Sequence, residues 1–537
     1  MLFNSAAFLF AFLPPTLLGF IALAYYGHVR LAGMWVTAAS LIFYGWWNPI
    51  YVPLLLGSIL FNYLTGGYLL RRPSRVVLAV GIAANVLLLL YYKYTGFLVG
   101  ASDQLFGLEW QIPNIILPLA ISFFTFQQIA YLVDAYGGAV MEHDFFNYCL
   151  FITFFPHLIA GPITHHREML PQFSNPTIFR PTFGNLGLGS TLFLAGLFKK
   201  IIIADTMGTY ARPIFAAAAT GEPASFLGAW GGVLSYALQL YFDFSGYTDM
   251  AIGLGLLFGI SLPPNFDSPY KSRSVIEFWS RWHMTLTRFL TAYIYNPIVA
   301  GAIRRRIERG LPIPKRGHVP LSAFVGLVAL PTIFTMFLAG AWHGAGWQFI
   351  IFGLLHGAYL TVNQAWRQLK IRWGRPLESR HPLVAGASVL TTLLCVIVGE
   401  IFFRAADVPT ALNLLSGMVG AHGIALPARV SDLPGIALIR EYFGLPILTT
   451  GEISPVQVLL IIGLFATVWL LPNTQQLLRE FRTVLAPRPR ASWLQATIPV
   501  LIWRPGAIMG FIVGWLGFFL IIRAISAAPT EFLYFQF

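Results

Sequence analysis

Residues 319–364 read VPLSAFVGLVALPTIFTMFLAGAWHGAGWQFIIFGLLHGAYLTVNQ. Two apolar runs, 319–340 and 347–364, flank a short segment that holds glycines and one histidine. Runs of about 20 apolar residues match the length of a helix that crosses a bilayer, whereas a membrane β-strand needs only about 10 residues of alternating character. The stretch therefore predicts two membrane helices joined by a short connection.

The rest of the chain repeats this pattern. Of 537 residues, 57% are hydrophobic and 10% are charged, while soluble domains carry about 25% charged residues. Backbone polar groups in lipid must be satisfied within the chain, and runs of this length select helices over a barrel. We expect an all-α polytopic membrane bundle with about 11–13 membrane helices plus re-entrant or interfacial helices. The predicted passages are 6–27, 31–47, 51–70, 76–94, 113–133, 146–163, 185–204, 224–243, 319–340, 347–364, 383–403, 456–472 and 507–525.

The net charge of +13 is concentrated in loops between apolar runs. Basic loops are retained on the cytoplasmic side of a membrane, so these loops indicate topology rather than nucleic-acid binding. They would also attract a phosphorylated donor in the cytosol. The first run lacks a charged n-region and a cleavage site, so we expect a retained span. The basic clusters are Arg71, Arg72 and Arg75; Arg304, Arg305, Arg306 and Arg309; Arg367, Lys370, Arg372 and Arg375; and Arg479, Arg482, Arg488 and Arg490.

Two regions depart from simple hydropathy. Residues 238–288 are rich in polar groups and contain Pro263–Pro264, which predicts re-entrant or interfacial elements that line a cavity. Residues 402–450 lack a good span and are interpreted as an extramembrane or interfacial insertion. No repeat or low-complexity linker divides the chain, so we expect one integral-membrane domain over residues 1–537. Cys149 and Cys395 lie in apolar runs and are expected to be buried thiols.

His343 is the first candidate for chemistry. Ionisable groups inside membrane segments are costly and are therefore candidates for function. His343 lies at the end of one apolar run, flanked by Gly340, Gly344 and Gly346. An imidazole with a pKa near its unperturbed value of about 6.5 can act as a general base. The alternative is a buried histidine that binds a neighbouring carbonyl.

The other histidines allow more than one interpretation. His356 follows one helix further on and is a packing or hydrogen-bonding candidate, and His283 lies beside Arg281 in an aromatic setting typical of a membrane interface. His165 and His166, with the nearby His157, resemble a metal-site fragment. No H-E-x-x-H pattern or cysteine partner lies nearby, so we expect no metal. The chain also lacks a G-x-S-x-G elbow and a P-loop, which disfavours a serine hydrolase or an ATP-driven pump.

Seven motifs together resemble the membrane-bound O-acyltransferase family, in its bacterial alginate O-acetyltransferase branch. The resemblance covers nearly the whole chain, and each motif alone is weak. The motifs are ISFFTFQQIAYLVDAY, FFPHLIAGPITHHREMLPQF, GLFKKIIIAD, YFDFSGYTDMAIGLGLLFGI, NFDSPY, FWSRWHMTLTRFL and AWHGAGWQFIIFGLLHG.

The resemblance implies a helix bundle around a central funnel in the bacterial inner membrane. It places the family's catalytic histidine on His343 and the second signature position on His283. It implies no bound cofactor, a cytosolic thioester donor, most simply acetyl-CoA, and a periplasmic esterase-like partner that delivers acetyl groups to an exopolysaccharide such as alginate. Supporting candidates are His356, Asp243, Asp249, Trp342 and Gln128.

Two other functions remain open at this stage. The same chemistry could act on a lipid or protein acceptor, and a non-enzymatic transporter of lipid-linked glycans could use a similar polar cavity. A transporter would show matched broken helices in two halves, and no such pairing is visible in the sequence.

The closing residues 532–537, FLYFQF, offer one further candidate. They resemble a protease-tag remnant but have Phe532 where that site needs Asn, so we take them as native. One interpretation is an aromatic anchor at the membrane interface. The other makes Tyr534 an acyl acceptor, because a phenol deprotonated by a base is a competent nucleophile and its aryl ester is a good donor.

Overall fold

The protein is described from a computed structural model. The structure describes residues 1–107, 110, 115–314, 319–379, 381–423, 426–427, 435, 441–442, 447–448, 453–481, 483–486, 493–498, 502–526 and 530–533.

Long apolar helices dominate these residues. Seven helices are long and apolar enough to cross a membrane, and two shorter apolar helices, Val29–Gly45 and Pro455–Leu470, accompany them in the described part of the chain. The chain is therefore a multi-pass, all-α membrane protein, as predicted. The seven are Ala7–Tyr25, Pro49–Arg71, Arg75–Phe106, Phe183–Ala219, Leu321–His343, Pro382–Arg404 and Ala507–Ser526.

The chain divides into two compact units, and the first contains Met1–Ile201, Phe244–Asn265 and Thr474–Phe537. Its core is aromatic: Phe43 and Phe155 contact Phe8 with ring centroids 6.0 and 6.1 Å apart. Besides the apolar helices up to Phe106, its helices are Ile121–Tyr136, Phe145–Thr153, Phe155–Leu158, His166–Phe173, Phe183–Phe198, the second half of Phe226–Leu257, Thr474–Leu477, Trp493–Thr497 and Ala507–Ser526.

The second unit contains Ile202–Asp243 and Phe266–Asn473. Leu426–Pro427 and Ile447–Leu448 form a two-residue parallel pairing there. Its helices are Asp205–Ala219, the first half of Phe226–Leu257, Pro269–Lys271, Val275–Trp279, Met284–Leu290, Thr291–Tyr295, Asn296–Glu308, Leu321–His343, Trp347–Arg372, Pro382–Arg404, Val408–Met418 and Pro455–Leu470. The prediction of a single domain over the whole chain stays a prediction.

Several membrane helices contain a π-helical stretch. In a π-helix the hydrogen bonds run from i to i+5, so each stretch shifts the side chains that follow it around the helix axis. The described stretches are Ala7–Phe12, Leu90–Tyr94, Lys199–Ala204, Thr291–Tyr295 and Val325–Ala329.

The predicted passage 146–163 is not one helix. Helix Phe145–Thr153 ends at Phe154, whose ψ of 103° leaves the helical region, and Phe155–Leu158 begins a separate short helix. Pro156 lies in the first turn of that second helix, where proline is tolerated because its missing N–H has no partner to lose. Helix Phe145–Thr153 is buried except at its start, and Phe155–Leu158 is buried throughout.

The polar stretch 238–288 also differs from expectation in its first half. Residues up to Leu257 continue the single helix Phe226–Leu257, which has 32 residues and is buried over most of its length. The second half does break into short elements, as predicted. Of the proposed insertion 402–450, the described part continues helix Pro382–Arg404 and adds helix Val408–Met418. Its assignment as an extramembrane or interfacial insertion stays a prediction.

Candidate active site

The two helices quoted at the outset form a tight hairpin in the second unit. Helix Leu330–His343 ends at His343, and helix Trp347–Arg372 begins after Gly344, Ala345 and Gly346. A Cβ added at Gly353 would overlap the carbonyl oxygen of Met336 on the opposite helix. The glycine therefore lets the two backbones approach closely, as small residues do between membrane helices.

His343 lies at the closed end of this hairpin and is 6% exposed. The rings of Trp342 and Phe403 lie 4.9 Å from its ring, centroid to centroid, and that of Phe352 lies 6.0 Å away. This aromatic wall keeps water from the imidazole. In such a dry site, electrostatic and proton-transfer interactions are stronger than in water.

His283 meets the same cluster from a different segment. Its ring centroid lies 6.4 Å from that of His343 and 6.2 Å from that of Trp342. The residue precedes helix Met284–Leu290 with φ 44° and ψ 51°, a left-handed conformation that is rare outside glycine. Burial lowers the pKa of His283 to about 3, so the imidazole is neutral at pH 7.

His356 forms a hydrogen bond with Trp279, and this contact fixes its ring apart from His343 and His283. The indole Nε1 of Trp279 donates to Nδ1 of His356 at 3.2 Å, so Nδ1 is the unprotonated nitrogen of a neutral ring. The ring of Phe352 contacts both histidines, with its centroid 4.7 Å from that of His356 and 6.0 Å from that of His343. His356 thus fixes helix Val275–Trp279, which leads into His283.

A buried carboxyl–phenol pair in the second unit was missed by sequence reasoning. Tyr270 Oη lies 2.9 Å from Glu400 Oε1 and 2.8 Å from the carbonyl oxygen of Ala237. Glu400 is 4% exposed and lies on the same helix as Phe403. The signal was available, because Glu400 is the acidic residue inside the predicted passage 383–403.

The remaining supporting candidates are buried polar groups in two places. Asp243, in the second unit, is 1% exposed. Its carboxylate and that of Glu400 both interact electrostatically with the hydroxyl of Tyr236. Asp249, in the first unit, pairs with Lys199 Nζ at 2.6 Å and accepts a hydrogen bond from Thr474 at 2.8 Å.

Gln128 belongs to a buried amide network in the first unit. Its side-chain oxygen accepts hydrogen bonds from Ser58 and Asn62, and Asn62 in turn bonds Asn85. These contacts give Gln128, like Asp249, a structural function, and their catalytic roles stay predictions.

The residues just before the candidate acceptor Tyr534 are buried in the first unit. Phe532 and Leu533 are 1% and 6% exposed. Lys200 Nζ lies 4.8 Å from the ring centroid of Phe532 and donates to the carbonyl oxygen of Glu531 at 3.0 Å. Tyr534 itself lies outside the described residues.

A cavity of about 270 Å³ lies in the second unit next to these elements. Trp279, the partner of His356, and Met336, on the helix of His343, both line it. The remaining wall mixes apolar side chains with hydroxyls such as Thr287 and Thr335. Such a lining suits a small organic group with a few polar atoms.

Comparison with known proteins places this site in context. The sequence profile of the membrane-bound O-acyltransferase family matches residues 138–309. A peptidoglycan O-acetyltransferase from Helicobacter pylori is 40% identical over 456 residues, which cover 79% of this chain and 81% of that protein. The chain belongs to the membrane-bound O-acyltransferase family.

Within this family the chain resembles the bacterial polysaccharide acetylases. The probable alginate O-acetylases AlgI of Pseudomonas aeruginosa and Azotobacter vinelandii are 35% and 34% identical over 430 residues. The matches cover 78% of this chain and 75% and 78% of the respective relatives. The family, the alginate-acetylase-like branch and the activity predicted from the motifs are confirmed: this member of the family is a membrane O-acetyltransferase.

Proposed function

We propose that this acyltransferase moves an acetyl group from a cytosolic thioester, acetyl-CoA, across the bacterial inner membrane for the O-acetylation of an exported polysaccharide. His343 is the general base. The observation that carries the proposal is the buried cluster of His343, Trp342 and His283 at the end of a membrane hairpin.

The chemical step needs one base and a dry, fixed geometry. His343 removes the proton of the acceptor hydroxyl, and the oxygen attacks the thioester carbonyl. The C–S bond breaks, the acetyl oxygen ester forms, and the imidazolium returns the proton to the departing thiolate. Base catalysis supplies about 10²–10⁴-fold, and the alignment of the two substrates supplies much of the rest.

The cavity beside Trp279 and Met336 supports a donor bound close to the hairpin. Its mixed apolar and hydroxyl lining suits the amide-containing arm of a CoA thioester. The exposed arginines Arg305, in helix Asn296–Glu308, and Arg372, at the end of helix Trp347–Arg372, belong to basic clusters that would attract the donor's phosphates on the cytosolic side.

Tyr534 is the proposed first acceptor. The burial of Phe532 and Leu533 supports this role, because the two residues that precede Tyr534 lie in protein and not at a lipid interface. An aryl acetate is a better acetyl donor than an alkyl ester, since phenolate leaves more readily than alkoxide. A periplasmic esterase-like partner would collect this acetyl group. The named substrates of the relatives, peptidoglycan and alginate, make an exopolysaccharide or cell-wall glycan the final acceptor.

The decisive experiment follows the acetyl group on the protein. The purified enzyme in lipid nanodiscs receives radiolabelled acetyl-CoA, and the label is located by mass spectrometry of the C-terminal peptide. We expect a labelled Tyr534 in the wild type, none in Tyr534→Phe, and labelling slowed at least about 100-fold in His343→Ala. His381→Ala serves as the matched control, since His381 is an exposed histidine of the same unit.

Each result tests a different part of the proposal: the general base, the relay or the acceptor. Full labelling in His343→Ala would remove the general base. Acetyl transfer to polysaccharide by Tyr534→Phe at the wild-type rate would remove the relay but leave the transferase. Label found on a lipid or on another protein, with none reaching polysaccharide, would favour the lipid or protein acceptor instead.

A further inference from the structure

Three side chains in the first unit bring their donor atoms together. Asp134 lies in the last turn of helix Ile121–Tyr136, and His165 and His166 lie at the start of helix His166–Phe173. One donor atom from each lies within 4.8 Å of the other two. Spacing along the chain hides this arrangement, because the carboxylate comes from another helix.

The distances fit a bridging cation better than direct hydrogen bonds. Oδ2 of Asp134 lies 3.7 Å from Nδ1 of His165 and 3.7 Å from Nδ1 of His166. An N–H···O hydrogen bond spans about 2.7–3.2 Å. A zinc ion bonds imidazole nitrogen at about 2.0–2.1 Å and carboxylate oxygen at about 2.0–2.2 Å, so two ligand atoms in a tetrahedral shell lie about 3.4 Å apart, within a few tenths of an ångström of the 3.7 Å found here.

His166 supplies a second observation. It is 2% exposed, and within the described part of the chain neither of its ring nitrogens has a hydrogen-bond partner. Buried polar atoms are almost always satisfied, so two orphaned nitrogens on one ring indicate a missing ligand.

Asp134 divides its two oxygens between different partners. Oδ1 lies 3.2 Å from a guanidinium nitrogen of Arg167, while Oδ2 faces the two imidazoles. A metal-bound carboxylate is commonly oriented in this way by a charged partner on its other oxygen. Arg167 therefore orients the carboxylate and also competes for its charge.

We infer that Asp134, His165 and His166 form a site for a divalent transition-metal ion, with Zn²⁺ the best match to two imidazoles and one carboxylate. Water completes a tetrahedral shell, since His165 is only half-buried. The ion joins helix Ile121–Tyr136 to helix His166–Phe173, so its function is to pin these two elements. This revises the expectation of no metal, which rested on the absence of an H-E-x-x-H pattern and of a cysteine partner in the sequence.

The test measures metal directly. The full-length protein, purified through a tag without histidines and stripped with a chelator, is titrated with Zn²⁺ alone and with Co²⁺ alone. We expect one zinc ion per chain by mass spectrometry and the visible absorption of tetrahedral cobalt. Asp134→Asn and His166→Gln, which nearly preserve side-chain size, should each lower the affinity at least 100-fold.

Two controls make the result specific. His28→Ala removes an exposed histidine, and His143→Ala removes the partner of Tyr131, so both should bind the ion as the wild type does. Substoichiometric metal in the wild type, or equal affinity in wild type and Asp134→Asn, would overturn the site and leave an ion pair between Asp134 and Arg167. Because the readout is metal content, it does not depend on the proposed acetyl relay.

Discussion

His283 holds a left-handed backbone conformation, which costs a non-glycine residue about 1–2 kcal/mol. His283→Gly should therefore have a higher melting temperature than His283→Ala, since both remove the buried imidazole and its packing but only glycine relieves the strain; both should lower acetyl transfer. His283→Ala should lose both stability and activity, because it keeps the strain and deletes the packing. Thermal unfolding in detergent, beside the acetyl-CoA assay, distinguishes the two effects.

Ala120 provides the matched control for this series. It also has a positive φ, 63°, but carries no functional group, so Ala120→Gly should stabilise the protein and leave transfer unchanged. A His283→Gly enzyme with wild-type activity would show that the imidazole has no part in the reaction.

At the scale of elements, the hairpin depends on close backbone contact. Gly353→Ala should push helix Trp347–Arg372 away from Met336 and displace His343, so acetyl transfer should fall by an order of magnitude or more. Gly463→Ala is the control: a Cβ there meets nothing within 4 Å, and alanine favours a helix by about 0.5–1 kcal/mol. Equal activity of the two variants would refute the packing argument.

The Tyr270–Glu400 pair has a proton count that can be tested. A phenol has one proton, yet Tyr270 Oη is within hydrogen-bond distance of two acceptor groups, Glu400 and the Ala237 carbonyl. Both contacts are satisfied when Glu400 carries a proton and donates it to the phenol oxygen. Glu400→Gln, whose amide also donates, should be nearly neutral.

Glu400→Ala should instead lower the free energy of unfolding by about 1–3 kcal/mol, because it leaves the phenol oxygen short of a donor and opens a void. Chemical denaturation in mixed micelles measures both variants. A Glu400→Gln protein as unstable as Glu400→Ala would mean that the ionised carboxylate is required.

At the scale of the whole molecule, the basic clusters predict that the segments carrying them face the cytosol. Arg305→Cys and Arg372→Cys, each in a Cys149→Ser, Cys395→Ser background, should resist a membrane-impermeant maleimide applied to intact spheroplasts. Both residues are exposed, so both should react after permeabilisation, which is the internal control. Labelling of either cysteine in intact spheroplasts would place that segment, and the proposed donor site, outside.

Hydropathy alone was sufficient to find most helices. The predicted passages 51–70, 383–403 and 507–525 match helices Pro49–Arg71, Pro382–Arg404 and Ala507–Ser526 closely, because each is a single apolar run of membrane length. It did not find the break at Phe154, where backbone geometry before Pro156 matters more than polarity. Hydropathy also cannot detect π-helical stretches, since these depend on hydrogen-bond register.

The candidate site, too, was predicted from the sequence only in part. Trp342 and His343 are consecutive in the sequence, and the family motif predicted His283 as the second site residue. The contacts of Asp134 with His165 and of Tyr270 with Glu400 were not predicted, because each joins residues far apart in the chain. Such pairs are fixed by tertiary packing, for which one sequence carries no direct signal.

The short connection Gly344–Ala345–Gly346 also bears on how the protein is made. A polar imidazole at the end of a lone helix would enter the bilayer at an energetic cost. With three residues between the helices, Leu330–His343 and Trp347–Arg372 leave the insertion machinery almost together. The second helix can then cover His343 before lipid does. Lengthening this connection with a flexible glycine–serine insert should thus reduce the yield of inserted protein even if the mature fold tolerates the longer loop.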